Sequence, residues 1–274
     1  MMEAIMTQTI KLIALDCDGT LINDERKITP RTKEALMKAQ QQGIRLALVS
    51  GRPRTGFWYE SAELELAKHH GILAAYNGGL IIDAETQEVM HEQPIDKEAV
   101  KQFFRDIEPF NLVHVIDNGS QLFSNNIDNE YVVRESTAHQ MELIHHDRLM
   151  DALDFSPAKI ILIDQPERLD AVEEDIFRLC EGRLAPARTA PFFIEITLNG
   201  VNKSTALDHI CEAAGIHKSE CMSFGDNMND IEMVKDAGIG VAMGNARVEV
   251  KAVADIVTAS NNVDGIADVV EQYI

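Results

Sequence analysis

Asp16 and Asp18 stand two residues apart at the end of an apolar run, Leu12-Ile13-Ala14-Leu15, and are followed by Gly19-Thr20. If the extended backbone persists to Asp18, both carboxylates leave the chain on the same side. Like charges that converge repel unless a proton or a cation separates them. A hard cation such as Mg²⁺ prefers such oxygen donors. Asp, Gly and Thr are also ordinary turn residues, so Asp-x-Asp-Gly-Thr alone reads equally as a strand exit. A second acidic cluster breaks the tie. Gly225-Asp226-Asn227-Met228-Asn229-Asp230 follows another apolar run. If both runs are strands of one parallel sheet, Asp16, Asp18, Asp226 and Asp230 gather at its carboxyl edge, where open α/β sheets bind ligands. Four carboxylates in one crevice point to a metal site.

Two further groups suit a phosphate. Ser50-Gly51 ends a third apolar run and offers a hydroxyl and backbone N–H groups. Lys203 precedes a helix expected to start at Ser204, where a lysine opposes the helix dipole unless an anion lies there too. An ordinary turn and a solvated lysine are the plain alternatives for each taken singly. Together the groups meet the needs of phosphoryl transfer: a nucleophile, a cation and positive donors around the transferred group. An Asp carboxylate serves as nucleophile through an aspartyl-phosphate, and a second carboxyl moves protons.

The elements that must position these groups alternate. Strands are expected at Lys11–Leu15, Ile44–Val49 and Ile72–Ala75, with Leu80–Ile82 after a turn. Helices are expected from Pro30, behind the cap Thr29, and over Gly56–His69. This rhythm predicts a parallel sheet with crossover helices. It resumes late in the chain, with helices at Ser204–Ala214 and Asn229–Ala237 and strands at Cys221–Phe224, Ile239–Ala242 and Ile256–Val257. Between residues 84 and 196 the strands are scattered: Val113–Ile116, Gln121–Ser124, Lys159–Ile163 and Phe192–Ile196, with helices at Asp96–Ile107 and Glu167–Cys180. The expected fold is therefore α/β, a Rossmann-like parallel core of residues 1–83 and 197–274 with an inserted α+β domain of residues 84–196.

Composition narrows the partners. The 274 residues carry a formal net charge of −20, which opposes nucleic acid and anionic membranes. No apolar stretch approaches membrane-spanning length. Met1–Thr9 lacks the basic start and apolar centre of a signal peptide and reads as a loose leader. Cys17, Cys180, Cys211 and Cys221 show no Cys-x-x-Cys pair. They read as free buried thiols of a cytoplasmic protein.

The ordered motifs Asp16-Cys17-Asp18-Gly19-Thr20-Leu21, Ser50-Gly51-Arg52-Pro53, Lys203 and Gly225-Asp226-Asn227-Met228-Asn229-Asp230 resemble those of haloacid dehalogenase superfamily phosphatases of the Cof-type group. Asn77-Gly78-Gly79, Val241–Ala246 and Asn261–Gly265 extend the resemblance, which is weak over residues 84–196. It implies Asp16 as nucleophile and Asp18 as general acid and base, with the Asp18 carbonyl on Mg²⁺. It implies Ser50, Gly51, Lys203 and Asn229 as phosphate contacts, and Asp226 and Asp230 beside Asp16 and Asp18 at the metal. Arg52 would bind substrate or brace its motif. The inserted domain would be a cap that closes over the site and selects the substrate, a small-molecule phosphate ester such as a sugar phosphate or phosphorylated cofactor. A phosphomutase on the same scaffold and a receiver-like phospho-acceptor are the competing readings. The lysine motif departs from many relatives, with Ser204 where they carry Gly, and Cys17 stands where a bulkier apolar residue is common.

Overall fold

The structure, a computed structural model, describes residues 9–274. The expected leader therefore lies outside the described residues except for Thr9. The described residues divide into two compact units: residues 9–52, 57–92 and 202–274, and residues 53–56 and 93–201.

The first unit is built on an eight-stranded sheet. β1 (Leu12–Leu15) is wholly buried and lies between β2 (Arg45–Val49) and β12 (Cys221–Gly225), parallel to both. β3 (Ile72–Ala75) extends the parallel set beyond β2, and β13 (Ile239–Ala242) and β14 (Ile256–Val257) extend it beyond β12. β4 (Leu80–Asp83) and β5 (Val89–Glu92) then add an antiparallel edge. The unbroken apolar runs of β1, β3 and β13 are what a strand covered on both faces needs. Helix α1 (Pro30–Gln41) starts as the sequence expects, with Thr29 extended and Pro30 in the first turn. It buries Thr32, Ala35, Leu36, Ala39 and Gln40, the i, i+3, i+4, i+7, i+8 stripe of a helix covering a sheet.

Three expectations need correction here. The helix over Gly56–His69 is three pieces, 3₁₀ turns at Arg54–Phe57 and Leu66–His69 around α2 (Trp58–Glu63). Glu65 is left-handed at φ 52°, which no α-helix can continue through. The stretch Asn229–Ala237 is a 3₁₀ turn, Met228–Asp230, followed by a helix over Ile231–Asp236. The units change at Glu92 and Val201 rather than at residues 83 and 196, because β5 pairs with β4 and so belongs to the first sheet.

The second unit carries a six-stranded sheet in the order β10-β11-β9-β6-β7-β8, antiparallel except for β7 and β8. Its strands are β6 (Val113–Asp117), β7 (Gln121–Ser124), β8 (Glu142–His145), β9 (Lys159–Ile163), β10 (Leu184–Ala190) and β11 (Phe193–Leu198). Alternate residues serve opposite faces. Ile116, Ile160, Leu162, Ile194 and Ile196 join Val100, Phe103, Phe104 and Ile107 of the helix α3 (Lys97–Ile107), which Asp96 caps. Val115, Ile161, Ile163 and Phe193 face the other way, with Val132 of the helix α4 (Glu130–Ala138).

Candidate active site

Strand β1 ends at Leu15, and the chain turns at once. Asp16 N–H still donates to Phe224 O of β12 at 3.1 Å, after which Leu21 N–H closes back on Asp16 O. The extended backbone therefore does not persist to Asp18, and the two carboxylates go to different cations. Asp16 is buried and accepts from Lys203 Nζ at 2.5 Å. Asp18 is exposed and accepts two bonds from Arg52, from Nε and Nη2, both at 2.7 Å. Arg52 also donates to Glu60 at 2.9 Å.

Lys203 arrives on the helix Lys203–Ala214. Asn202 caps this helix, accepting from Ser204 N–H and Thr205 N–H, while Thr205 Oγ1 accepts from Asn202 N–H. This capping box fixes where the helix begins, and Lys203 is its first residue rather than the residue before it. The fully buried ammonium donates to Asp16 Oδ1 and Asp230 Oδ1, each at 2.5 Å. Asp230 Oδ2 accepts from Asp226 N–H and Asn227 N–H at 2.9 Å. Asp226 Oδ1 accepts from Thr20 Oγ1 at 2.8 Å. Gly19 sits at φ 83°, and a Cβ there would lie 2.5 Å from Asp226 Oδ2, so only glycine lets the two loops approach.

Burial and neighbouring charge set the titration of these groups. The Asp16 carboxyl is pushed well above the usual range, chiefly by burial and further by Asp230 and Asp226, against the pull of Lys203. Asp226 is pushed up by burial and by Asp230, against its bond from Thr20. Burial also works on Asp18, but the Arg52 hydrogen bonds and charge outweigh it and hold Asp18 low. Burial would lower Lys203, yet Asp16 and Asp230 raise it, so it stays charged. The Cys17 thiol is driven up by burial and is inert at neutral pH.

Asp16, Asp226 and Asp230 each offer an oxygen within 4.8 Å of the others. Carboxylates this close repel unless a proton or a cation separates them, and Asp226 accordingly helps push the Asp16 carboxyl up. Both oxygens of Asp230 are engaged by Lys203 and the backbone. The donor set therefore fits a hard cation held mainly by Asp16 and Asp226, with Asp230 bracing the loop. The expected gathering of four carboxylates is a gathering of three, because Asp18 turns to Arg52.

Ser50, Gly51 and Asn229 meet at Asn77. Ser50 O accepts from Asn77 N–H at 2.8 Å, and a Cβ on Gly51 would contact the Asn77 amide. Asn229 Nδ2 donates to Asn77 Oδ1 at 3.2 Å. Asn77, Thr20, Glu60, Asn245 and Asn261 also hold the site together, in roles that motif spacing does not point to. Asn245 donates to Gly19 O at 2.7 Å and Asn261 to Ile22 O at 3.0 Å, tying the turn after β1 from a distant part of the chain. The signal available was the recurrence of Asn in short Gly-rich stretches, which marks turns but names no partner.

A parallel α/β core with this Asp, Ser, Lys and Asp arrangement defines a class. The profile of haloacid dehalogenase-like hydrolases matches residues 13–270, and the chain belongs to that family. It is an enzyme, a phosphatase of that family. The Bacillus subtilis protein YxeH is 35% identical over 268 residues, covering 96% of this chain and 98% of that one. A haloacid dehalogenase-like hydrolase from Bacteroides thetaiotaomicron superposes with a TM-score of 0.90 at 33% identity, over 97% of this chain and 100% of that one. A subclass IIB sugar phosphatase of the same superfamily superposes with a TM-score of 0.80 at 27% identity, over 96% and 98% of the two chains. Among the described residues no helix is long and apolar enough to cross a membrane.

Proposed function

We propose that this chain hydrolyses small phosphate monoesters, sugar phosphates or phosphorylated cofactors, through an aspartyl-phosphate on Asp16 and with Mg²⁺. The observation that carries the reading is the buried Lys203 ammonium bonded to both Asp16 and Asp230 beside Asp226. Asp16 Oδ attacks phosphorus, and the bond from phosphorus to the ester oxygen breaks. Asp18 donates its proton to that oxygen, releasing the alcohol. The Asp18 carboxylate then takes a proton from water, whose oxygen attacks phosphorus. Breakage of the phosphorus–Asp16 bond returns the carboxylate and frees inorganic phosphate. Asp18 must leave Arg52 to do this, so Arg52 is a brace to be exchanged for substrate. Lys203 offsets charge on Asp16 and on the transferring group. Ser50, Gly51 and Asn229, organised by Asn77, take phosphoryl oxygens. Mg²⁺, held by Asp16, Asp226 and the Asp18 carbonyl with Asp230 behind them, would neutralise charge on the phosphoryl oxygens. The unit of residues 93–201 serves as the substrate-selecting cap.

The test is phosphate release from a panel of phosphorylated metabolites, with Mg²⁺ and with EDTA, by wild type and Asp16→Asn. Release that needs Mg²⁺ and vanishes in Asp16→Asn supports the reading. A folded protein that frees phosphate from no ester sinks it, and an isomeric phosphate as product would make the chain a mutase.

A further inference from the structure

Cys211 lies on the helix Lys203–Ala214 and Cys221 opens β12. Their Sγ atoms are 3.3 Å apart, close enough to share a proton, and Cys221 Sγ also donates to His217 O at 3.6 Å. Cys221 is fully buried and Cys211 keeps 5% exposure. Ile216 N–H donates to Cys211 O at 3.0 Å, so the loop between the two cysteines is already folded back on the helix. A disulfide places its sulfurs about 2.05 Å apart. Closure therefore asks the two sulfurs to approach by about 1 Å, a change on the scale of side-chain rotation.

We propose that Cys211 and Cys221 form a dithiol–disulfide couple that closes under a peroxide or a small-molecule disulfide. Cys211 is the attacking sulfur. It keeps the 5% exposure through which a small oxidant can reach it while Cys221 is fully buried, and its hydrogen bond with Cys221, and then Lys218, hold its thiol below the ordinary range against burial. Cys211 thiolate attacks one peroxide oxygen, the O–O bond breaks and hydroxide leaves, giving a sulfenic acid. Cys221 sulfur attacks Cys211 sulfur, the S–O bond breaks, and the departing hydroxide takes the Cys221 proton as water. The two thiols lose two electrons and two protons, and hydrogen peroxide becomes two waters. The closed bond staples the helix that begins at Lys203 to the strand that ends beside Asp226.

Trypsin reads this directly. Cleavage after Lys203, Lys218 and Lys235 leaves Ser204–Lys218 and Ser219–Lys235, each with a single cysteine. Folded full-length protein treated with hydrogen peroxide, blocked with a maleimide and digested should yield these two peptides linked, and dithiothreitol should part them. Titratable thiols should fall from the 4 cysteines of the chain to two. The melting temperature of the oxidised protein should rise by a few degrees. Cys211→Ala should abolish the peptide link and the melting-temperature rise, and Cys180→Ala should leave both intact. Two separately blocked or sulfinic peptides from the folded protein would overturn the proposal. So would a link that forms only after unfolding in urea.

Discussion

Each unit buries a lysine among carboxylates, and the two sites differ in how the negative charge is matched. Lys203 in the first unit touches two carboxylates at 2.5 Å, with Asp226 beside them. The acids there are over-supplied: Asp16 and Asp226 are both driven up, by burial first. Lys159 in the second unit bonds Glu195 on the neighbouring strand at 3.0 Å. Burial would lower Lys159, but Glu195 and Glu135 raise it. Burial would raise Glu135, but His139 and then Lys159 draw it down. A buried lysine is thus no mark of a site by itself. Acids pushed towards protonation around it are, because they show where a further cation belongs.

Five measurements break or sharpen this contrast. The largest effect is expected from Asp16→Asn, which should cut phosphate release by about 10,000-fold or more while the protein stays folded by circular dichroism. Lys203→Met should follow, with turnover down about 1,000-fold and stability down ~3–5 kcal/mol in urea unfolding, because it strands two buried carboxyl groups without their shared donor. Lys159→Met should destabilise by about 1–3 kcal/mol yet leave turnover within several-fold. Equal losses of turnover in the two lysine variants would erase the distinction. Mg²⁺ at one hundred times its dissociation constant should stabilise the protein by ~2.7 kcal/mol in a thermal melt, and Asp226→Asn should remove the gain. A full Mg²⁺ shift in that variant would place the cation elsewhere.

The smallest effect is a pH dependence in the second unit. Lys159 is raised above the ordinary lysine value of 10.5, so the folded state binds its proton more tightly than the unfolded chain. Its stabilisation is fully present below that value and is lost as pH rises through the higher folded value. The melting-temperature gap between wild type and Lys159→Met should stay level from pH 6 to 10 and narrow above it. A gap that closes near neutrality would show that Lys159 is not held charged by Glu195.

The sequence disclosed β3, β7, β9 and β13 to the residue, because β3, β9 and β13 are largely apolar runs and β7 follows the hairpin signal Asn118-Gly119. It did not disclose β5, β8, β10 or the helix Glu130–Ala138. Val89–Glu92 and Glu142–His145 are half-polar, and Leu184–Ala190 contains a proline and three alanines. Such strands are held by the neighbour they pair with, and that neighbour is not local. The same holds at the site. The spacing of Asp16, Asp226, Asp230 and Lys203 suggested that they meet, since each follows a strand or starts a helix. That Asp18 would turn to Arg52, or that Thr20 would hold Asp226, depends on loop paths that no periodicity encodes.

The central position of β1 governs how the molecule comes into being. Its two neighbours are β2, which follows it closely, and β12, which is made more than two hundred residues later according to the register Leu12↔Cys221. A chain growing on the ribosome therefore carries β1 as an open edge while residues 93–201 are synthesised and can gather their own core. An open parallel edge of Leu-Ile-Ala-Leu invites pairing with other chains. The acids of the second cluster arrive only with the strand that seals this edge. Nascent protein is thus most prone to aggregate during the interval in which it has no active site, and the step that ends one condition ends the other.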